Sequence, residues 1–411
     1  MLRPSLGPAY RGLWTASGLS NLADGILQLS LPLLALELGS SPSAVAGITV
    51  ALGLPWLLFA LHAGALADRL DRRRVMVAVQ LGRVIVVGGL AVVAATATAR
   101  TWMLFVVAFA LGVMETLFDT SAQTIVPTVV AADELTRANG RLSAVETTMN
   151  EFVGPPLGGL LVGVGVALSL GTTAACFLLA AIALARISGS FRPTRIVTGA
   201  RWREDIAEGL RYLRGQPVLC RFTLIGAVSN VCATAAFALL AVLVVAPGPM
   251  GLSELEFGAL LTVSAVGSLI ASLTVEAAER ALGRRRLLLV CIIVDGASIA
   301  AMATADVAVA IPASLVLGAG LVVWNVIVVS LRQRIVPDHL LGRVNAASRM
   351  VSWGAVPVGA AIGATLVGVV DVTTVFAYSG VAIALLSVLL LGITDDALDG
   401  SARDAPSSAV A

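Results

Sequence analysis

Not one lysine occurs in the 411 residues, and charged side chains of both signs together make up only 13%. Without lysine there can be no Walker A loop, which needs that residue to hold phosphates, and no lysine Schiff base. The chain is therefore not expected to hydrolyse a nucleotide, and it is read neither as an enzyme nor as a nucleic-acid binder. Histidine is almost as scarce: His62 and His339 lie far apart and share no ligand spacing, so no metal site is expected. The four cysteines, Cys176, Cys220, Cys232 and Cys291, are scattered and read as small packing residues. Nothing in the sequence calls for a cofactor.

What fills the chain instead is apolar: 58% of residues are hydrophobic and the mean hydropathy is +0.95. That exceeds what a soluble domain could bury, so the lipid bilayer is the expected solvent. Arg3 and Arg11 precede an apolar stretch too long for a signal-peptide core, which points to a retained membrane helix. A hydrocarbon core of about 30 Å takes roughly 20 residues per helix. Twelve segments fit: Leu13–Leu38, Val45–Leu66, Val75–Ala97, Trp102–Ile125, Leu142–Val164, Ala167–Ala185, Phe222–Val245, Phe257–Val275, Leu287–Thr304, Val307–Leu331, Val344–Val369 and Thr373–Leu391.

Arginine in short loops stays on the cytoplasmic side. Arg69, Arg72, Arg73 and Arg74 lie between the second and third segments; Arg280, Arg284, Arg285 and Arg286 between the eighth and ninth; Arg332, Arg334 and Arg343 between the tenth and eleventh. These loops fall on one side, whereas the opposite loops carry Glu254, Glu256, Asp306 and Asp371 with Arg100 as their arginine. Both termini are then expected in the cytoplasm of a bacterial inner (plasma) membrane. The expected division is an N-terminal six-helix bundle over 1–190, a cytoplasmic linker over 191–220, a C-terminal six-helix bundle over 221–393 and a polar, disordered tail over 394–411. Within the linker Trp202, Ile206, Leu210 and Leu213 recur at helical spacing. That spacing predicts an amphipathic helix at the inner membrane surface that ties the halves together.

The halves echo one another. Gly18-Leu19-Ser20-Asn21 is matched by Ala227-Val228-Ser229-Asn230, and Ile125-Val126-Pro127 by Ile335-Val336-Pro337, with Asn139 and Asn345 downstream. Arginine clusters precede the third and ninth segments alike. With the run Gly64 to Arg74 between segments two and three, where Gly64, Asp68, Arg69, Arg72 and Arg73 follow a Gly-x-x-x-Asp-Arg-x-Gly-Arg-Arg pattern, the chain resembles the major facilitator superfamily over its whole length. It departs from the pattern at Asp71, where that family has glycine. Gly154, Pro155, Gly158 and Gly159 resemble the antiporter motif of the fifth helix, with Asn150 at an upstream glycine position. Together with Arg332, Gln333, Val336, Pro337, Leu341, Gly342, Arg343 and Val344, the chain is similar to the branch containing macrolide-efflux and enterobactin-exporter proteins. The resemblance implies an all-α membrane protein of twelve transmembrane helices in two pseudo-symmetric six-helix bundles. It also implies export. Asp68 and its neighbouring arginines are expected to form a cytoplasmic gate against the start of the eleventh segment, near Arg343.

An ionisable side chain inside a span is costly unless paired or wetted, so each is a functional candidate. Asp24 sits on a polar stripe with Trp14, Ser17, Asn21 and Gln28; Glu115, Asp119 and Gln123 share one face of the fourth segment; Glu146, Asn150 and Glu151 follow in the fifth; Arg83 is embedded in the third. Counting about 1.5 Å of rise per residue places Arg83 level with Asp119 and leaves Asp24 and Glu115 deeper. This predicts an Arg83–Asp119 ion pair, with Asp24 and Glu115 free to carry protons. Their counterparts in the repeat, Ala233 and Asn325, cannot titrate, and Arg83 corresponds to Asp295. Substrate contacts are then expected at Asn21, Asn230, Trp324 and Asn325. The sequence thus suggests a secondary transporter that exports an amphiphilic small molecule, such as a drug, antibiotic or siderophore, by proton antiport. Proton-coupled uptake and a scaffold or receptor without transport are the competing readings.

Overall fold

A computed structural model describes residues 6–67, 70–130, 134–188, 191, 200–391 and 393. Within its helices the side chains of 60–67, 123, 124, 127, 136, 200–206, 333, 338, 339, 341, 342, 346, 349 and 353 lie outside the description. The helices run α1 Pro8–Glu37, α2 Pro42–Ala67, α3 Arg72–Ala95, α4 Thr101–Val129, α5 Leu135–Thr147, α6 Gly154–Val164, α7 Val166–Ala185 and α8 Ala200–Gly215. They continue as α9 Pro217–Phe237, α10 Leu240–Val244, α11 Glu254–Leu282, α12 Arg284–Ala301, α13 Val307–Ile335, α14 Asp338–Leu366, α15 Val372–Leu385 and α16 Val388–Leu391. No strand occurs among the described residues. In hydrocarbon every backbone amide must be satisfied within its own segment, and helices meet that demand.

Ten described helices are long and apolar enough to cross a bilayer. The fifth expected span is composite: α5, a π-helical segment Thr148–Val153 and α6 follow one another without a break. The eleventh corresponds to α14, 29 residues long with Pro357 inside it. Ile85, Leu273 and Val369 are 74%, 79% and 83% exposed, an arrangement that only a lipid surround makes inexpensive.

Three loop acids turn out to start helices. Asp71, Asp306 and Asp371 are the N-caps of α3, α13 and α15, accepting from the backbone N–H groups of Arg74, Ala308 and Thr374 at 3.1, 2.8 and 2.7 Å. Each satisfies an amide that the first turn leaves over, a contribution of about 1 kcal/mol.

The chain forms two compact units: Met1–Thr198 with Ala238–Thr262, and Gly199–Phe237 with Val263–Ala411. In the first, α1 packs on α7 and α6, α3 on α7 and α4, and α2 on α4. In the second, α14 packs on α9 and α8, and α12 on α15 and α13. A core of Leu13, Met76, Phe118, Ile125, Leu184 and their neighbours fills the first unit where α1 and α3 begin and α4 ends.

The linker helix α8 docks on α14. Arg343 Nη1 donates to Glu208 Oε2 at 2.7 Å, Tyr212 Oη donates to the Ile335 carbonyl at 3.2 Å, and Leu213 is buried. Of the expected apolar stripe, Leu213 is buried against protein, while the side chains of Trp202 and Ile206 lie outside the described residues.

Candidate functional site

The embedded polar cluster of the first unit is built around Arg83. Its guanidinium is fully buried, with Nη1 donating to Asp24 Oδ2 at 3.1 Å and to Ser20 Oγ at 2.9 Å. Asp24 and Ser20 lie one helical turn apart on α1, so one face of that helix supplies both acceptors. Aromatic rings complete the enclosure: the Phe177 and Phe118 centroids lie 5.0 and 5.7 Å from the Arg83 Cζ atom. Two rings replace water around the part of the cation that the carboxylate does not reach.

Depth counting led to a different pair. The hydrogen-bonded ion pair that the structure shows for Arg83 is with Asp24, where the counted levels suggested Asp119. Counting residues along one axis ignores helix tilt and the reach of an arginine side chain, which exceeds a turn of helix. Asp24 is therefore not the free acid expected from the sequence. Glu115 is held by no hydrogen bond or ion pair among the described residues, while Asp24, Asp119 and Arg83 all act on it electrostatically. Glu115 thus lies among charged neighbours of both signs, Asp24, Asp119 and Arg83.

A second constellation joins α1 to the composite fifth span. Asn150 Nδ2 donates to Asn21 Oδ1 at 3.2 Å, Gln28 Nε2 donates to Asn150 Oδ1, and Asn21 Nδ2 donates to the Ser17 carbonyl at 2.9 Å. The departure from glycine at Asn150 has a physical reason: its amide ties together two turns of α1. Directly below, Gly25 and Gly154 touch backbone to backbone, and a Cβ on Gly154 would lie 2.6 Å from the Gly25 Cα atom. Gly158 and Gly159 meet the backbones of Ile26 and Gly258 in the same way. Pro155 lies in the first turn of α6, where a missing N–H is tolerated.

The other sequence candidates fall at separate places. Asn230 donates from Nδ2 to the Ser352 carbonyl at 3.1 Å, and the Trp324 ring tilts against Phe222 at a centroid distance of 6.0 Å. Asn325 is exposed beside Trp324 on α13. Gly64 lies in α2, Asp68 and Arg69 lie outside the described residues, and Arg343 is engaged by Glu208.

Asp71 resolves the other departure from the motif. Its φ of −67° needs no glycine. While Oδ1 caps α3, Oδ2 accepts from the Phe191 N–H at 3.1 Å, and Arg73 Nη1 donates to the Ile187 carbonyl. The carboxylate thus fastens the segment that leaves α7 to the start of α3. Ser20, Phe118 and Phe177 were missed by the sequence reading; of these only Ser20, four residues before Asp24, carries a pattern that could have flagged it.

A family model described as transmembrane secretion effector matches residues 2–409. The chain is 27% identical over 389 residues, 90% of each chain, to the multidrug efflux pump Tap of Mycolicibacterium fortuitum. Among solved structures it is similar to a bacterial homologue of the iron transporter ferroportin in an inward-facing state, with a TM-score of 0.70, 20% identity and coverage of 94% and 99% of the two chains. It is also similar to the nucleoside transporter NupG, with a TM-score of 0.68, 13% identity and coverage of 93% and 98%. Identities this low speak for the fold alone.

Proposed function

The chain belongs to the transmembrane secretion effector family of the major facilitator superfamily, and from that premise we propose that it exports an amphiphilic small molecule in exchange for protons. It is a multi-pass membrane transporter and not an enzyme. The finer reading rests on one observation above all, the embedded Glu115 carboxyl beside an Arg83 already paired with Asp24. With Asp24 taken up by Arg83, a negative charge at Glu115 sits in spans where water is scarce. An uncompensated charge there is expensive, so a proton or a cargo molecule must neutralise it.

That requirement gives a cycle. A proton arriving from outside neutralises Glu115 and weakens the hold on cargo, which leaves; loss of the proton toward the cytoplasm restores the charge and the hold. Proton and cargo compete for one site, and the competition couples their movements. The Arg83–Asp24 pair keeps the surrounding field constant while Glu115 changes charge. Asn21, Asn230, Trp324 and Asn325 are the proposed cargo contacts. The motif residues Gly64, Asp68, Arg69, Arg72 and Arg73, with Arg343, are the proposed gate, and Gly154, Pro155, Gly158 and Gly159 the proposed bending surface. Export is supported by the family description and by the relative named as a multidrug efflux pump. The arginine-rich loops support placement in a bacterial plasma membrane with both termini cytoplasmic, which reporter fusions at Arg72 and Arg285 would check.

The test uses inverted membrane vesicles, a panel of fluorescent dyes and antibiotics, and an imposed pH gradient. Wild-type protein should drive cargo into the lumen in proportion to the gradient. Glu115→Gln should fold and still bind cargo, with pH-driven movement reduced by at least about tenfold. Normal gradient-driven export by Glu115→Gln would overturn the assignment, and accumulation only in right-side-out vesicles would show uptake instead.

A further inference from the structure

In the second unit a carboxylate sits where a side chain of its neighbour ought to be. Asp295 projects from α12 against Gly320 of α13, and a Cβ on Gly320 would lie 1.9 Å from Asp295 Oδ1 and 2.3 Å from Oδ2. Close by on the same helices, Gly318 serves a different end, since a Cβ there would strike the Ser264 backbone oxygen of α11 at 1.9 Å. One glycine lets two helix backbones approach, and the other makes a notch for an acid. On the adjoining face of α12, about 100° round the helix, Gly296 is seated against the Gly380 oxygen and the Ala384 nitrogen of α15. The helix is thereby wedged between its neighbours and cannot draw the carboxyl group out of the notch by a small shift.

The notch offers the acid very little. Cys291, one turn before it, brings its thiol within 3.5 Å of Oδ2 and 3.4 Å of the Gly320 carbonyl, so a single weak donor is shared between two acceptors. Oδ1 is buried and finds no hydrogen-bond partner among the described residues. Of the elements packed on α12, α13 presents Gly320 and the backbone at Trp324, α15 presents Gly380 and Ala384, and the turn Met302–Thr304 carries no ionisable group. Among the described residues, Cys291 is the titratable group that acts on Asp295. A carboxylate in such surroundings is costly, whereas a carboxylic acid is a neutral group of ordinary size. Holding an acid there as a mere filler would be served equally by asparagine, which could never be caught with a charge.

We infer that Asp295 is a second proton-binding site of the transport cycle, seated as the neutral acid in its Gly320 notch and giving its proton to water when α13 withdraws from α12. The step balances as one O–H bond broken, one carboxylate left and one hydronium formed, with no other reactant. It rests on the proton coupling proposed above and adds a second carrier in the half of the sequence where Ala233 and Asn325 leave no other.

The number of protons per cargo molecule is the readout. Reconstituted full-length protein is given a tenfold proton gradient at zero membrane potential, and the cargo gradient at which net flux stops is measured. Removing one of the exchanging protons lowers that gradient by about tenfold, so Asp295→Asn should stop at a cargo gradient about tenfold smaller than wild type. An unchanged stopping point in a folded Asp295→Asn protein overturns the inference. Should that variant fail to fold, infrared difference spectra with carboxyl-labelled aspartate replace it. A pH-dependent aspartic-acid carbonyl band that moves in Cys291→Ser is expected, and its absence overturns the inference equally. If the broader reading fails, wild-type protein itself builds no cargo gradient from a pH difference; if only this inference fails, wild type does and Asp295→Asn matches it.

Discussion

In the first unit an arginine beyond the reach of solvent is held by Asp24 and roofed by two phenylalanine rings; in the second, the residue that corresponds to that arginine in the repeat is Asp295, lodged in a glycine notch with one weak donor. Each half thus places an ionisable group nine residues beyond its arginine cluster, and each meets the cost of burial by another route. Arg83 keeps its charge and takes a counter-ion. Asp295 has no counter-ion among the described residues and is tolerable as a neutral acid. A charge that is always compensated is suited to fixing a field, and one that exists only after a proton leaves is suited to counting protons.

The most forceful way to break this comparison is at Asp24. Asp24→Asn strands a buried guanidinium, and breaking such a pair costs about 3–5 kcal/mol. Lower expression and a markedly lower thermal midpoint in detergent are expected, and Arg83→Met added to Asp24→Asn should recover part of the loss. Wild-type stability of the single variant would show that the pair holds nothing. In the second unit the corresponding perturbation is Gly320→Ala, which drives a methyl into the carboxyl group. Overpacking of this kind costs about 1–3 kcal/mol, and Asp295→Ala in the same chain should relieve it. Equal destabilisation by Gly320→Ala with or without Asp295 would mean that the notch serves the helices and not the acid. Smaller still is Glu208→Gln, since that ion pair is 45% exposed on the glutamate side and 40% on the arginine side. Its loss should cost less than about 1 kcal/mol, detectable as faster proteolysis of α8 from a chain whose unfolding midpoint hardly moves.

Much of the architecture could be read from the sequence because hydropathy and arginine placement are coarse signals that survive local detail. The helices fall close to the expected segments, and Gly64 to Arg74 with Gly154 to Gly159 carried the family. What escaped was contact. Arg83 was counted level with Asp119 and is paired with Asp24, because reach and tilt do not appear in a residue count. The contacts of α8 with α14 had no signal of their own, since periodicity shows that a face is apolar without showing what covers it. Asn150 and Asp71 were noticed only as departures from a motif. Their partners, Asn21, Gln28 and Phe191, are 129, 122 and 120 residues away along the chain, beyond any local pattern.

The widened turn at Thr148–Val153 bears on how the fifth span can be re-engineered. A π-helical turn takes up one more residue than an α-helical turn, so it acts as an insertion absorbed without a loop. Deleting one residue there would restore even winding while α5 and α6 kept their facing, because the widened turn already takes up the extra residue. As it stands, the fifth span carries two phases in one rod, with α5 and α6 each regular but offset from one another by one residue in count. Helix-scanning cysteine labels should accordingly show a break in periodicity at residue 148, with each side regular by its own count.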